Sequence, residues 1–310
     1  MFLNRIKSND SGILLYGITP PKSQTAPEKV SEIAEKTLSR LHGLDIDALI
    51  VYDVQDESAR TTEERPFPFL SALDPFDFAR EYLYPLQIPK IIYRPASKFT
   101  KEELRQWVAD ITHYDFFPVF VGVPSPDFQP ITSLPEAYAI WREYQDKSVV
   151  GAVTIPERHA VLNDEDQRIL DKMSNGVSYF ISQCVFNVDY AKQMLIDLVK
   201  TCDAQNQALP TVIFTITACG SKKTLHFMEW LGIHIPDSVK ENLLASENIL
   251  EASVGLCLQI AEELISFCTT NSIPFGFNIE SVAIRKDEIE ASIRMVNQIS
   301  EMLKNQGIRK

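Results

Sequence analysis

Residues 150–186, VGAVTIPERHAVLNDEDQRILDKMSNGVSYFISQCVF, decide how the chain is read. An apolar run of strand character, Val149 to Val153, leads into the turn Pro156-Glu157-Arg158-His159. A charged helix carrying Leu170 and Lys172 follows, and a second strand, Val177 to Ile181, ends at Ser182-Gln183. Both strands are near-continuous apolar runs, the pattern of parallel strands covered on both faces. The polar groups collect at the strand ends, where parallel sheets and barrels keep their ligands.

The same alternation extends in both directions. Strands are expected at Ile13–Ile18, Asp47–Tyr52, Pro89–Tyr93, Phe116–Val121, Thr211–Ile216 and Phe275–Ile279. Between them lie amphipathic stretches such as Ala26–Leu41, with Val30, Ile33, Ala34, Leu38 and Leu41 at helical spacing. Local signals mark the helix starts: Asp74 caps a helix with Pro75 at its first position, and Thr100 with Glu103 forms a capping box. Eight strands separated by helices, joined by right-handed crossovers, predict a single (β/α)8 barrel over residues 1–310, with an extra helical segment before the last strand.

Composition bounds the function. The 310 residues are 45% hydrophobic and 23% charged, a soluble globular balance with a large core. A net charge of −12 argues against nucleic acid as the main partner, because phosphate binding needs a surplus of Lys and Arg. No apolar run reaches the ~20 residues of a membrane span, and MFLNRIKSNDSG has no signal-peptide core, so a cytoplasmic protein is expected. The five cysteines (Cys184, Cys202, Cys219, Cys257, Cys268) form no CxxC pair and are read as free, buried thiols.

Three motifs carry a resemblance: Thr154-Ile155-Pro156-Glu157-Arg158-His159 with Lys172 and Ile181-Ser182-Gln183-Cys184-Val185-Phe186, the start Tyr16-Gly17-Ile18-Thr19-Pro20-Pro21, and the loop Glu57 to Thr61. In these the chain resembles the methylenetetrahydrofolate reductases, flavin-containing (β/α)8 barrels. The resemblance implies FAD across the C-terminal mouth of the barrel and hydride transfer from NAD(P)H through the flavin to a folate. It implies cofactor contacts at His159, Lys172, Ile155 and either Tyr93 or Arg94, and a pterin contact at Gln183. The partner it implies is a folate or pterin-like small molecule, in a homo-oligomer or with a partner subunit.

The resemblance breaks at the reacting centre. The family's first-strand acid is Gly17 here, and a glycine transfers no proton. The family's Arg-Gly-Asp step is Val121-Gly122-Val123, and Ala218 to Lys223 lacks the folate-covering aromatic. The reading therefore divides between a divergent oxidoreductase with a relocated acid, a catalytically silent flavin- or folate-binding subunit, and a barrel working on an unrelated small molecule. Asp53, Asp56 and Glu57 are the nearest replacement acids along the chain, although a solvated acidic loop explains them as well.

Overall fold

The computed structural model describes residues 2–56, 64–123, 128–144 and 148–310. Eight parallel strands close into a barrel in chain order: β1 (Ile13–Ile18), β2 (Ala48–Val51), β3 (Lys90–Pro95), β4 (Phe116–Val121), β5 (Val150–Thr154), β6 (Val177–Cys184), β7 (Thr211–Thr217) and β8 (Phe275–Glu280). β8 returns to pair with β1, so no strand edge is left open. Around it run α2 (Pro27–Leu41), α3 (Pro75–Tyr82), α4 (Lys101–Ile111), α5 (Leu134–Arg142), α6 (Pro156–Leu162), α7 (Glu165–Ser174), α8 (Val188–Ala204), α9 (Lys222–Trp230), α10 (Asp237–Ala245), α11 (Ile249–Thr270) and α12 (Lys286–Asn305), preceded by α1 (Phe2–Lys7). The (β/α)8 expectation holds, including the extra helical segment, here α10 and α11 ahead of β8.

The strands bury residues on both faces, and this divides the core in two. Outward side chains such as Leu14, Leu49, Ile92, Phe214 and Phe277 meet the helices. Inward ones such as Ile13, Ile50, Phe117, Tyr179 and Ile213 fill the barrel. The N-terminal end is sealed by α1, which the sequence reading did not anticipate. Phe2 is fully buried there, packed edge-on against Phe117 at 5.2 Å and Tyr179 at 5.4 Å. Gly151 faces the same interior, where a Cβ would stand 2.6 Å from the Tyr179 ring, so only glycine leaves that ring its space.

The caps read from sequence form as expected. Asp74 accepts from the Phe76 and Asp77 amides, and Thr100 and Glu103 close a capping box. All five cysteines are free and buried. Among the described residues, no helix is long and apolar enough to cross a membrane. Three boundaries differ from expectation in ways that matter below. Pro156–His159 is the start of a helix instead of a turn, and β6 and β8 run on to Cys184 and Glu280.

Candidate functional site in the barrel mouth

The C-terminal ends of the strands are where burial relaxes. Tyr52, Val121, Val153, Gln183 and Glu280 are half-exposed, although most of each strand behind them is buried. They ring the open end of the barrel, opposite the Phe2 plug. In β8 the apolar residues Phe275, Phe277 and Ile279 point to the helices, which leaves Gly276, Asn278 and Glu280 to face inward.

Glu280 is the centre of this mouth. It is the register partner of Gly17 on β1. A Cβ on Gly17 would lie 2.8 Å from the Tyr52 ring and 3.2 Å from the Glu280 Cβ. The space vacated on β1 is thus filled from β2 and β8, and an acid stands one strand away from the position where the reductases carry theirs. The Tyr52 hydroxyl donates to Glu280 Oε2, Asn278 Nδ2 donates to the same oxygen at 3.3 Å, and the Cys184 thiol lies 3.7 Å from Oε1. Burial raises the Glu280 pKa above the ordinary carboxylate value; the three donors oppose that shift without cancelling it. The carboxyl thus holds a proton more readily than a solvated glutamate.

Around Glu280 the mouth is rich in acceptors. Asn278 Nδ2 also donates to the Tyr52 hydroxyl at 2.9 Å and to Thr215 Oγ1 at 3.2 Å, while its Oδ1 is buried without a partner. Both carboxylate oxygens of Glu157, in the first turn of α6, are likewise buried and unpartnered. Desolvation pushes the Glu157 pKa up to about 7. Burial raises the Cys184 thiol pKa, and the charges of Glu280 and Glu157 add to that rise. Tyr93 stands edge-on to Tyr52 with ring centres 4.7 Å apart. No Lys or Arg is hydrogen-bonded or ion-paired to Glu280 or Glu157 among the described residues. Such a site favours a flat, neutral, donor-rich heterocycle over an anion.

The residues taken from the resemblance divide between this mouth and the helical layer outside it. Tyr93 faces the mouth. Gln183 lies inside β6, at a register irregularity between Ile181 and Cys184, and its amide makes no hydrogen bond among the described residues. His159, Ile155 and Lys172 gather instead among α6, α7 and α8. His159 is 1% exposed and bonds Asp197 at 3.2 Å, with Asp166 3.7 Å from its other nitrogen. Lys172 donates to the Val153 carbonyl at 2.7 Å, and burial lowers its pKa to about 8. The Ile155 amide donates to Glu165, itself held by Arg158 and Thr154. Arg94 points outward, paired with Asp74 at 2.7 Å and flanked by Phe99 and Trp107. With His159, Lys172 and Arg94 each engaged by protein groups, this set does not fit a flavin phosphate as arranged.

The other sequence candidates are placed as follows. Asp53 is paired with Lys98 at 3.3 Å and lies 3.9 Å from Arg94; burial raises its pKa. Asp56 also has interaction partners, and Glu57 lies outside the described residues. Val123 is exposed at the surface. Farther along α9, Phe227 and Trp230, with Phe69 from the loop after β2, surround the Arg65 guanidinium at 4.9–5.4 Å.

Comparison with known proteins bears on what this mouth holds. No family model matches the chain, and no curated protein does. Among solved structures, an uncharacterized protein from Clostridium thermocellum that binds two copies of 5-methyl-5,6,7,8-tetrahydrofolic acid matches at 42% identity and a TM-score of 0.87. The match covers 97% of this chain and 100% of that one. The chain belongs to the family of that protein. The family relation therefore spans nearly the whole chain. A 2,3-dimethylmalate lyase of the PEP mutase/isocitrate lyase superfamily matches at 13% identity and a TM-score of 0.43, over 99% of this chain and 96% of that one. The dihydropteroate synthase of Xanthomonas albilineans matches at 13% and 0.47, over 96% and 94%. Neither of the last two bears on chemistry.

Proposed function

We propose that this protein binds a reduced folate, with the pterin ring in the barrel mouth and Glu280 as the carboxyl that faces it. The single observation carrying this reading is the exchange between Gly17 and Glu280. It keeps an acid at a folate-type mouth by moving it to the neighbouring strand, in a chain whose 42%-identical relative binds 5-methyl-5,6,7,8-tetrahydrofolic acid. A pterin presents a row of N–H donors, and Glu280, Glu157 and Asn278 Oδ1 are acceptors that no described Lys or Arg pairs with. Tyr52 and Tyr93 supply ring faces beside them. A carboxyl with a raised pKa at this place is able to hold a proton against a pterin nitrogen, which one-carbon transfer to or from that nitrogen requires.

Calorimetric titration with 5-methyltetrahydrofolate tests the reading. Saturable binding is expected, and a flat titration at millimolar ligand would remove it. The finer proposal, a flavin oxidoreductase taking hydride from NAD(P)H, is supported by the sequence resemblance. Purified protein with a flavin band that NAD(P)H bleaches anaerobically, and a methylene-folate then restores, would establish it. Colourless protein that takes up no added FAD would reject it.

A further inference from the structure

Outside the barrel wall, between α2, α12 and the ends of β1 and β8, lies a cavity of about 460 Å³. That is within the 300–1,000 Å³ range of small-molecule sites. Its walls are apolar, with Ile33 from α2 facing Ile289 and Ile293 from α12, and Phe78 and Leu41 also in the lining. Tyr16 lines it too, fixed by a 2.7 Å bond between its hydroxyl and Ser292. The charge of the lining is the reverse of the mouth's. It contains Lys22, Lys36, Arg40 and Lys286 and no acidic residue, in a chain of net charge −12.

Three of these cations have local partners. Lys36 pairs with Glu32 at 2.6 Å, Lys286 lies 3.6 Å from Glu290, and Lys22 donates to the Leu70 carbonyl at 3.2 Å. Arg40 is half-buried and makes no hydrogen bond or ion pair among the described residues. A partly desolvated guanidinium without a counter-ion, at the edge of an apolar slot, is poised for a carboxylate.

We propose that this slot is a second reduced-folate site, one that reads the aminobenzoyl-glutamate half of the molecule. The inference rests on the folate reading of the family given above. The isoleucine walls accept the aminobenzoyl ring, and Arg40, helped by the lysines, takes the glutamyl carboxylates. The slot lining has no carboxyl to meet the donor edge of a pterin, and no described Lys or Arg pairs with the mouth's Glu280 or Glu157, so the two sites are suited to opposite halves of one ligand.

That division makes the sites separable by probe. Titrations with 5-methyltetrahydrofolate, with p-aminobenzoyl-glutamate and with a tail-less tetrahydropterin would be run on the wild type, Arg40→Glu, Lys286→Glu and Glu280→Gln, each first checked for an unchanged melting curve. The expected result is two folate molecules per wild-type chain and one per Arg40→Glu chain. Affinity for p-aminobenzoyl-glutamate should fall roughly tenfold or more in Arg40→Glu, fall less in Lys286→Glu, and persist in Glu280→Gln. Equal affinity of wild type and Arg40→Glu for p-aminobenzoyl-glutamate, or no binding of it by the wild type, would overturn the slot assignment. Failure of the wild type to bind the tetrahydropterin while it still binds p-aminobenzoyl-glutamate would instead count against the mouth.

Discussion

Two regions at the C-terminal side of the barrel hold buried ionisable groups, and they differ in how those groups are satisfied. Among α6, α7 and α8, Glu165, His159 and Lys172 are each met by protein. Glu165 receives Arg158, Thr154 and the Ile155 amide; His159 is bonded to Asp197, and Lys172 to a strand carbonyl. In the mouth, Glu280 meets only neutral donors, and Glu157 and Asn278 Oδ1 have buried acceptor atoms with no partner. A buried charge closed on its own counter-ion belongs to the architecture. Buried acceptors left open at the strand ends are free to take donors from outside the chain.

The comparison breaks most visibly if the acid is returned to β1. Gly17→Glu forces a Cβ against the Tyr52 ring and sets a second carboxyl beside Glu280, so it should destabilise the fold by about 3 kcal/mol or more and abolish pterin binding. Urea denaturation and ligand titration measure the two effects; the double variant Gly17→Glu/Glu280→Gly should recover part of both. On the helical side, Arg158→Met leaves the fully buried Glu165 without its cation. It should cost about 3 kcal/mol while leaving folate affinity at the wild-type value. A comparable loss of affinity would merge the two regions into one site.

Titration sharpens the contrast. Glu157 has a pKa raised to about 7 in the folded chain, against 4.5 for the free side chain. Between those values the native state holds a proton that the unfolded state has released, so stability is greatest below pH 4.5, declines as pH rises toward 7, and is level above it. Allowing for the partial exposure of the residue, the decline amounts to about 2–3 kcal/mol. Glu280 adds to it with the same sign. Glu157→Gln should flatten the profile of unfolding free energy against pH, and an unchanged profile would mean that Glu157 is solvated. The smallest effect is expected at His159→Gln: a stability loss of about 1–2 kcal/mol from one lost buried hydrogen bond, with no change in folate affinity.

The architecture was legible because it is written in local periodicity. Unbroken apolar strands, capped amphipathic helices and proline or glycine breaks recur eight times, and each was sufficient to place an element. The mouth was less legible for a specific reason. Gly17 marks the place where the resemblance expects an acid, but the carboxyl beside it, Glu280, comes from β8, distant in sequence and adjacent only once the barrel closes. The signal was present in Phe275-Gly276-Phe277-Asn278-Ile279-Glu280, where polar residues alternate with apolar ones in a strand otherwise fully buried. Ending that strand at Ile279 hid it. His159 and Lys172 misled in the opposite sense, because a motif specifies residue types and spacing but not whether a side chain turns toward the mouth or into the helical layer. Glu157, two residues before His159 in the same motif, gave no such signal.

The central claim is that Glu280 replaces, across the strand pair, the acid that Gly17 lacks, and binds the pterin of a reduced folate. Its most direct test is the affinity of wild type and Glu280→Gln for a tail-less tetrahydropterin, measured by calorimetry near neutral pH. Loss of a charge-assisted hydrogen bond worth about 1.5–3 kcal/mol predicts a dissociation constant raised roughly ten- to a hundredfold, with the melting temperature kept or increased. Equal affinities in two folded proteins would contradict the account.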